Sequence, residues 1–213
     1  MKHTAFVPIK TRSTRVPKKN FRDINGKKLY VYIFDTLQET NFDEIYVDTD
    51  SDEISNLAKN YGFKVIQRLP KLAEDNSNGN ELLEYHSGLI HSDVYYQTFA
   101  TAPLLKASTI NDCINAMENE DYDSCFTAVK HYEWTWFDGK PINYHPATLP
   151  RSQDAKPVIF ETTGLYGIKA SFLKRNIQRI GNKPYMKFVE KEEAIDLDTE
   201  FDFKILEQIV KER

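Results

Sequence analysis

Cysteine is scarce in this sequence: its 213 residues hold two, Cys113 and Cys125. Neither stands at metal-ligand spacing, and each falls in an expected helix or strand, so two buried, reduced thiols are expected. A surplus of positive charge is also missing. Lys and Arg number 28 against 32 Asp and Glu, a formal net charge of -4. That gives no general pull towards nucleic acid, so any anion site must be local. No apolar run approaches the roughly 20 residues of a membrane span. The opening MKHTAFVPIK is too short in its apolar part, and charged again by Lys10, to read as a signal peptide. Internal repeats and low-complexity tracts are absent. These gaps together predict a soluble, cytoplasmic protein.

What is present supports a packed core. Hydrophobic residues make up 40% and aromatics 13%, which excludes global disorder. The length fits one domain over 1–213. Short apolar runs alternate with helix-period segments. Strands are expected at Thr4–Ile9, Glu44–Val47, Lys64–Gln67, Val94–Thr98, Ser124–Val129, Val158–Glu161, Leu165–Lys169 and Tyr185–Val189. Helices are expected at Leu29–Thr40, Ser51–Tyr61, Glu81–Ile90, Ser108–Met117 (Ser108 capping), Ser171–Ile180 and Thr199–Val210. This rhythm predicts an α/β fold, a mostly parallel sheet with helices on both faces. It breaks over 130–157, where Trp134, Trp136 and several prolines predict a protruding excursion that packs on something, a second subunit being one candidate.

Directly after the first strand comes a loop with five basic residues, Lys10, Arg12, Arg15, Lys18 and Lys19, and no acid before Asn20. In an open α/β sheet, ligands bind beyond the carboxyl ends of the strands. A cationic loop there, with Ser13 and Thr14 as donors, suits a polyphosphate. Near the other end, Asp196 and Asp198 are two apart. On an extended segment both point the same way and could seat Mg²⁺; an acidic helix N-terminus favours Asp regardless, though Thr199 and Glu200 could supply that effect without them. Asp48 and Asp50 end a strand at the same sheet edge, and could serve a ribose, a metal or a helix cap. His86, His91, His131 and His145 lack metal spacing and read as structural or surface residues; Trp134 and Trp136 read as packing.

The line FVPIKTRSTRVPKKN at 6–20, followed by NGKKL at 25–29, resembles the opening of the CMP-sialic acid synthetase family, the acylneuraminate cytidylyltransferases, related to the Kdo cytidylyltransferases. Further blocks follow in order: VDTDSDEI at 47–54, RLPKLAED at 68–75, TAPL at 101–104, RSQD at 151–154, TGLY at 163–166 and IDLDTEFD at 195–202. The resemblance implies a three-layer, Rossmann-like nucleotidyltransferase that moves CMP from CTP to an acidic sugar for surface glycans. It implies a homodimer joined through 130–157. It places Lys10 and Lys19 on the triphosphate, Ser13, Asn20 and Arg68 around the nucleotide, Arg151 and Tyr166 near the sugar and the dimer contact, and Asp196 and Asp198 on Mg²⁺. The chain departs from the pattern at Thr11 and Arg12, which replace two glycines, at Thr14, which replaces a lysine, and at Phe99 and Leu105, which replace a glutamine and an arginine on the sugar side. The acceptor therefore stays open between a sialic acid, another nonulosonic acid, Kdo and a phosphorylated acid. A catalytically silent nucleotide binder remains the reading from a different class.

Overall fold

The computed structural model describes residues 1–212. Seven strands form the central sheet: β1 (His3–Ile9), β4 (Glu44–Thr49), β5 (Lys64–Gln67), β6 (Val94–Thr98), β7 (Ser124–His131), β10 (Val158–Lys169) and β11 (Pro184–Phe188). Two small hairpins lie outside it, β2 (Asp23–Ile24) with β3 (Lys27–Lys28), and β8 (Trp136–Phe137) with β9 (Lys140–Pro141). The spatial order is β11-β7-β10-β6-β1-β4-β5. Only β10 runs antiparallel to its neighbours; the remaining pairs are parallel.

Alternation along β1 shows why helices cover both faces. Ala5, Val7 and Ile9 join one core with α1 (Leu29–Gln38), α2 (Asp52–Asn60) and α4 (Ala107–Asn119). Phe6, between them, joins the opposite core with Leu83 of α3 (Gly79–Leu89) and Leu173 of α5 (Ala170–Leu173). Side chains in a strand point alternately to its two faces, so a nearly all-apolar strand must be buried on both. The result is the expected three-layer arrangement. A third cluster ties the end of the basic loop to the C-terminal helix α6 (Glu200–Glu212): Val16, Ile24 and Leu29 meet Leu197, Phe203 and Leu206.

The chain leaves β1 towards β4 and β5 and returns to β6 on β1's other side. That reversal opens a crevice at the carboxyl end of β1, where such folds bind ligands. The excursion between β7 and β10 carries the β8–β9 hairpin and exposes Trp136 and Phe137, 57% and 74% accessible.

Several boundaries differ from expectation. One twelve-residue strand, β10, replaces two, with an irregular register between Glu161 and Tyr166. A bulge of this kind keeps one strand continuous while re-aiming its side chains. The helix expected over Ser171–Ile180 is a single turn, because residues 174–178 are all exposed and nothing buries a continuing stripe. Helix α4 starts at Ala107 after Lys106, with no side-chain cap, so Ser108 is not its cap. Helix α3 begins two residues earlier than expected, at Gly79. Asn78 accepts from the backbone of Glu81, whose carboxylate accepts from Asn78 in return.

Candidate active site

The crevice is a cavity of about 290 Å³. Lys10, Arg12, Ser13, Thr14, Arg15, Lys19 and Asn20 of the basic loop line it, together with Arg68 from beyond β5 and Phe99, Ala100 and Thr101 from beyond β6. Five of the proposed nucleotide residues (Lys10, Ser13, Lys19, Asn20, Arg68) thus come from two distant parts of the sequence to one surface. Sheet topology does this work. β1, β5 and β6 are parallel members of one sheet, so their carboxyl ends rise on one edge.

Most of the cations are held in place by partners. Lys10 bonds Asp75 Oδ1 at 2.7 Å, and its carbonyl accepts from Asn20 Nδ2 at 2.9 Å. Lys19 is buried; its ammonium donates to the Leu197 carbonyl at 2.6 Å and to Asp198 Oδ1 at 3.2 Å. Arg15 takes the other oxygen of Asp198 at 2.5 Å. Asp50 fixes the loop's start by accepting from the Thr11 amide and hydroxyl, both at 2.7 Å. Lys18, at φ 53°, turns the chain into the short helical turn that buries Lys19.

Arg68 has the firmest support. Asp48, fully buried, accepts from Arg68 Nη2 at 2.9 Å and Nε at 3.2 Å, and its Oδ2 meets His86 Nε2 at 2.8 Å. Burial on its own would raise the Asp48 carboxyl, but the His86 and Arg68 hydrogen bonds outweigh it and hold the group below the ordinary carboxylate range. The expectation that Asp48 serves a ribose, a metal or a helix cap is therefore corrected. Its oxygens are occupied in anchoring Arg68, and Ser51 caps α2. His86 is structural, stacked on Phe6 with ring centroids 4.5 Å apart.

Asp196 and Asp198 flank Leu197, which is fully buried and whose amide donates to Thr101 O at 2.9 Å. Asp198 faces the loop cations; Asp196 lines a neighbouring cavity with Thr163 and Glu161. Burial raises the Asp196 carboxyl, opposed by the nearby Thr101 hydroxyl, and the charge of Asp198 raises it further. Its Oδ1 is buried with no hydrogen-bond partner among the described residues. The capping of α6 belongs to other residues: Asp202 accepts from the Thr199 amide and hydroxyl at 2.7 and 2.8 Å. Neither Asp196 nor Asp198 is spent on that cap; Asp198 is paired with Lys19 and Arg15, and Asp196 keeps one oxygen unpartnered. No group of three or more His, Cys, Asp or Glu that could hold a metal occurs among the described residues. A pair with an unpartnered buried oxygen fits Mg²⁺, which binds through one or two carboxylates and keeps phosphate and water as other ligands.

Besides Asp196, which lines the neighbouring cavity rather than facing the same way as Asp198, Tyr166 and Arg151 also stand outside the cavity's lining. Tyr166 is buried, its hydroxyl on Glu161 at 3.0 Å, and burial pushes that hydroxyl up to about 12. Arg151 sits on the excursion, exposed, paired with Asp154 at 2.6 Å. Residues whose part the sequence hid include Asp75 and His86. Neither has a tell-tale spacing, and each acts through a contact made only by folding, with Lys10 and with Asp48.

Phosphate-seeking cations gathered at the switch point of a three-layer, mostly parallel sheet, beside Asp198 and the partly unpartnered Asp196, define a nucleotide-handling α/β protein. A family model described as cytidylyltransferase matches residues 4–212, and the chain belongs to that family. The chain is 26% identical over 97% of its length to N-acylneuraminate cytidylyltransferase A of Danio rerio, covering 50% of that protein. It is 27% identical over 94% of its length to post-translational flagellin modification protein B of Campylobacter coli, covering 92% of it. The chain spans about half the length of the acylneuraminate relatives it matches. Among solved structures, a CMP:2-keto-3-deoxy-manno-octonic acid synthetase complexed with CTP superposes with a TM-score of 0.74 at 15% identity, over 100% of this chain and 99% of that one. This likeness carries the fold. No helix among the described residues is long and apolar enough to cross a membrane.

Proposed function

We propose that the chain transfers CMP from CTP to an acidic sugar, with Mg²⁺, and releases pyrophosphate. The observation that carries this is the meeting of Lys10, Lys19 and Arg68 on one cavity, with Asp198 bonded to Lys19. A hydroxyl oxygen of the acceptor attacks the α-phosphorus. The bond to the pyrophosphate oxygen breaks, and the hydroxyl proton leaves to solvent or base. Such a reaction needs positioning and charge neutralisation more than covalent help. Lys10 and Lys19 lie where they would exchange Asp75 and Asp198 for phosphate oxygens. Arg68, fixed by Asp48, needs no reordering to meet one. Asp196 and Asp198 would hold the magnesium, which supplies charge neutralisation at the phosphates.

The chain's work would be in the cytoplasm, where CTP is made, and its product would feed glycan synthesis. A homodimer is part of the same reading. Phe137 at 74% and Trp136 at 57% exposure project from the excursion, and large exposed apolar groups rimmed by polar ones mark interaction surfaces. Dimerisation is also the route by which exposed Arg151 could reach a site.

Incubation with each nucleoside triphosphate, Mg²⁺ and N-acetylneuraminate, pseudaminate or Kdo tests the reading through pyrophosphate release. Turnover with CTP and at least one acid is expected. Stabilisation by CTP against heat with no turnover on any acid would overturn the transfer and leave a binder.

A further inference from the structure

Resting on the acidic-sugar reading above, we propose that Arg179 grips the carboxylate of the acceptor. Its guanidinium carbon lies 3.7 Å from the centroid of the Tyr166 ring. Tyr166 makes an edge contact with Phe99, with centroids 6.5 Å apart, and Phe99 lines the nucleotide cavity. The backbone amide of Arg179 donates to Asn80 Oδ1 at 3.1 Å, tying the loop after α5 to the start of α3.

Arg179 makes no ion pair among the described residues. Lys10, Arg15, Lys19 and Arg68 all do. A half-buried guanidinium on an aromatic face keeps its planar fork of donors free for a carboxylate. A second polar atom waits beside it. Gln97 Oε1 is buried without a partner, while Gln97 Nε2 donates to Gly79 O at 2.8 Å. Gly79 joins the two. A Cβ built there would stand 2.8 Å from Arg179 Nη1 and 3.5 Å from Gln97 Oε1. The missing side chain lets the guanidinium lie against the first turn of α3. An unpaired guanidinium at that place fits the carboxylate of a polyhydroxy acid. It also supplies a sugar-side polar group that Phe99 and Leu105 cannot.

The test compares each acid named above with its methyl ester, using the full chain, CTP and Mg²⁺. In Arg179→Gln, the KM for the acid is expected to rise about 10- to 100-fold, the range of one charge-assisted contact. The KM for CTP should hold within about two-fold, and the preference for acid over ester should collapse, because a lost carboxylate contact affects only the acid. Gly79→Ala should move the same ratio in the same direction by a smaller factor. The Cβ meets only the mobile end of Arg179, and alanine is no worse in a helix. If the native chain turns over an acid and Arg179→Gln keeps the full acid-over-ester preference, Arg179 is not the carboxylate's partner. If the native chain turns over none of the acids, the acidic-sugar reading itself falls.

Discussion

The two sides of the cleft are wired differently. On the nucleotide side almost every cation already holds a carboxylate: Lys10 with Asp75, Lys19 and Arg15 with Asp198, Arg68 with Asp48. On the proposed acceptor side, Arg179 stacks on Tyr166 without an ion pair and the buried Gln97 Oε1 has no partner among the described residues. A cluster of like charges would repel itself and splay the loop, so borrowed carboxylates keep it assembled, and on the proposed reading a triphosphate would replace them. The proposed sugar site, for a ligand with one charge, would need no such scaffolding. On that reading, pre-pairing follows the charge of the ligand to be bound.

The pre-paired side offers the largest effect. Asp48→Asn removes a buried charge from between Arg68 and His86. Breaking a buried pair at one partner costs about 3–5 kcal/mol, and urea denaturation should show a loss of that order. The pH dependence follows from the same pair. Because the carboxyl is held below its ordinary value, its contribution is complete above the unfolded-state value near 4 and fades as pH falls towards the folded one. The native protein should therefore lose stability below about pH 4, and the variant should lack that component. A variant as stable as the native chain would show that Asp48 does not anchor Arg68.

Next comes the acid couple. Asp196→Asn should lower turnover about 10²- to 10³-fold, the range seen when a preorganised charge partner is removed, while CTP-free melting stays near native. A milder loss in Asp196→Asn than in Asp198→Asn would shift the metal role to Asp198 alone. Lys10→Ala should raise the KM for CTP by about 10- to 100-fold and leave the acceptor's KM close to native. If the acceptor's KM moves as much, the two sides are not separate sites.

The layers and most strands were legible because Phe6 and its neighbours on β1 form a strand too apolar for one buried face, and because Ser51 with Asp52 and Glu53 marks a helix start. The basic loop's place was legible for the same reason: it follows β1. The capping pair Asn78 and Glu81 was present in the sequence yet masked by the glycine between them, Gly79, which looks like a breaker. The helix after Ala170 was over-read, since the isoleucines at 177 and 180 keep a helical interval, yet Ile177 is exposed and Ile180 packs against Phe126 and Tyr166 from a non-helical segment. Asp48 was ambiguous for another reason. Whether a strand-end aspartate meets ligand or arginine depends on β5 lying beside β4, a long-range pairing.

The smallest effect sits on the one cation of the loop wall that breaks the pattern. Arg12 lines the cavity, is exposed and has no ion pair among the described residues. It also stands where the resembling family carries glycine. A free, exposed guanidinium adds long-range attraction rather than a fixed contact, and salt screens such attraction over about 10 Å at 0.1 M. Arg12→Gly should therefore raise the KM for CTP only a few-fold at low ionic strength, and the gap from native should close as salt is added. Kinetics at two salt concentrations check this. A gap that persists at high salt would mean that Arg12 touches phosphate directly, and the pre-paired side would then hold one unpaired cation of its own, as the acceptor side does.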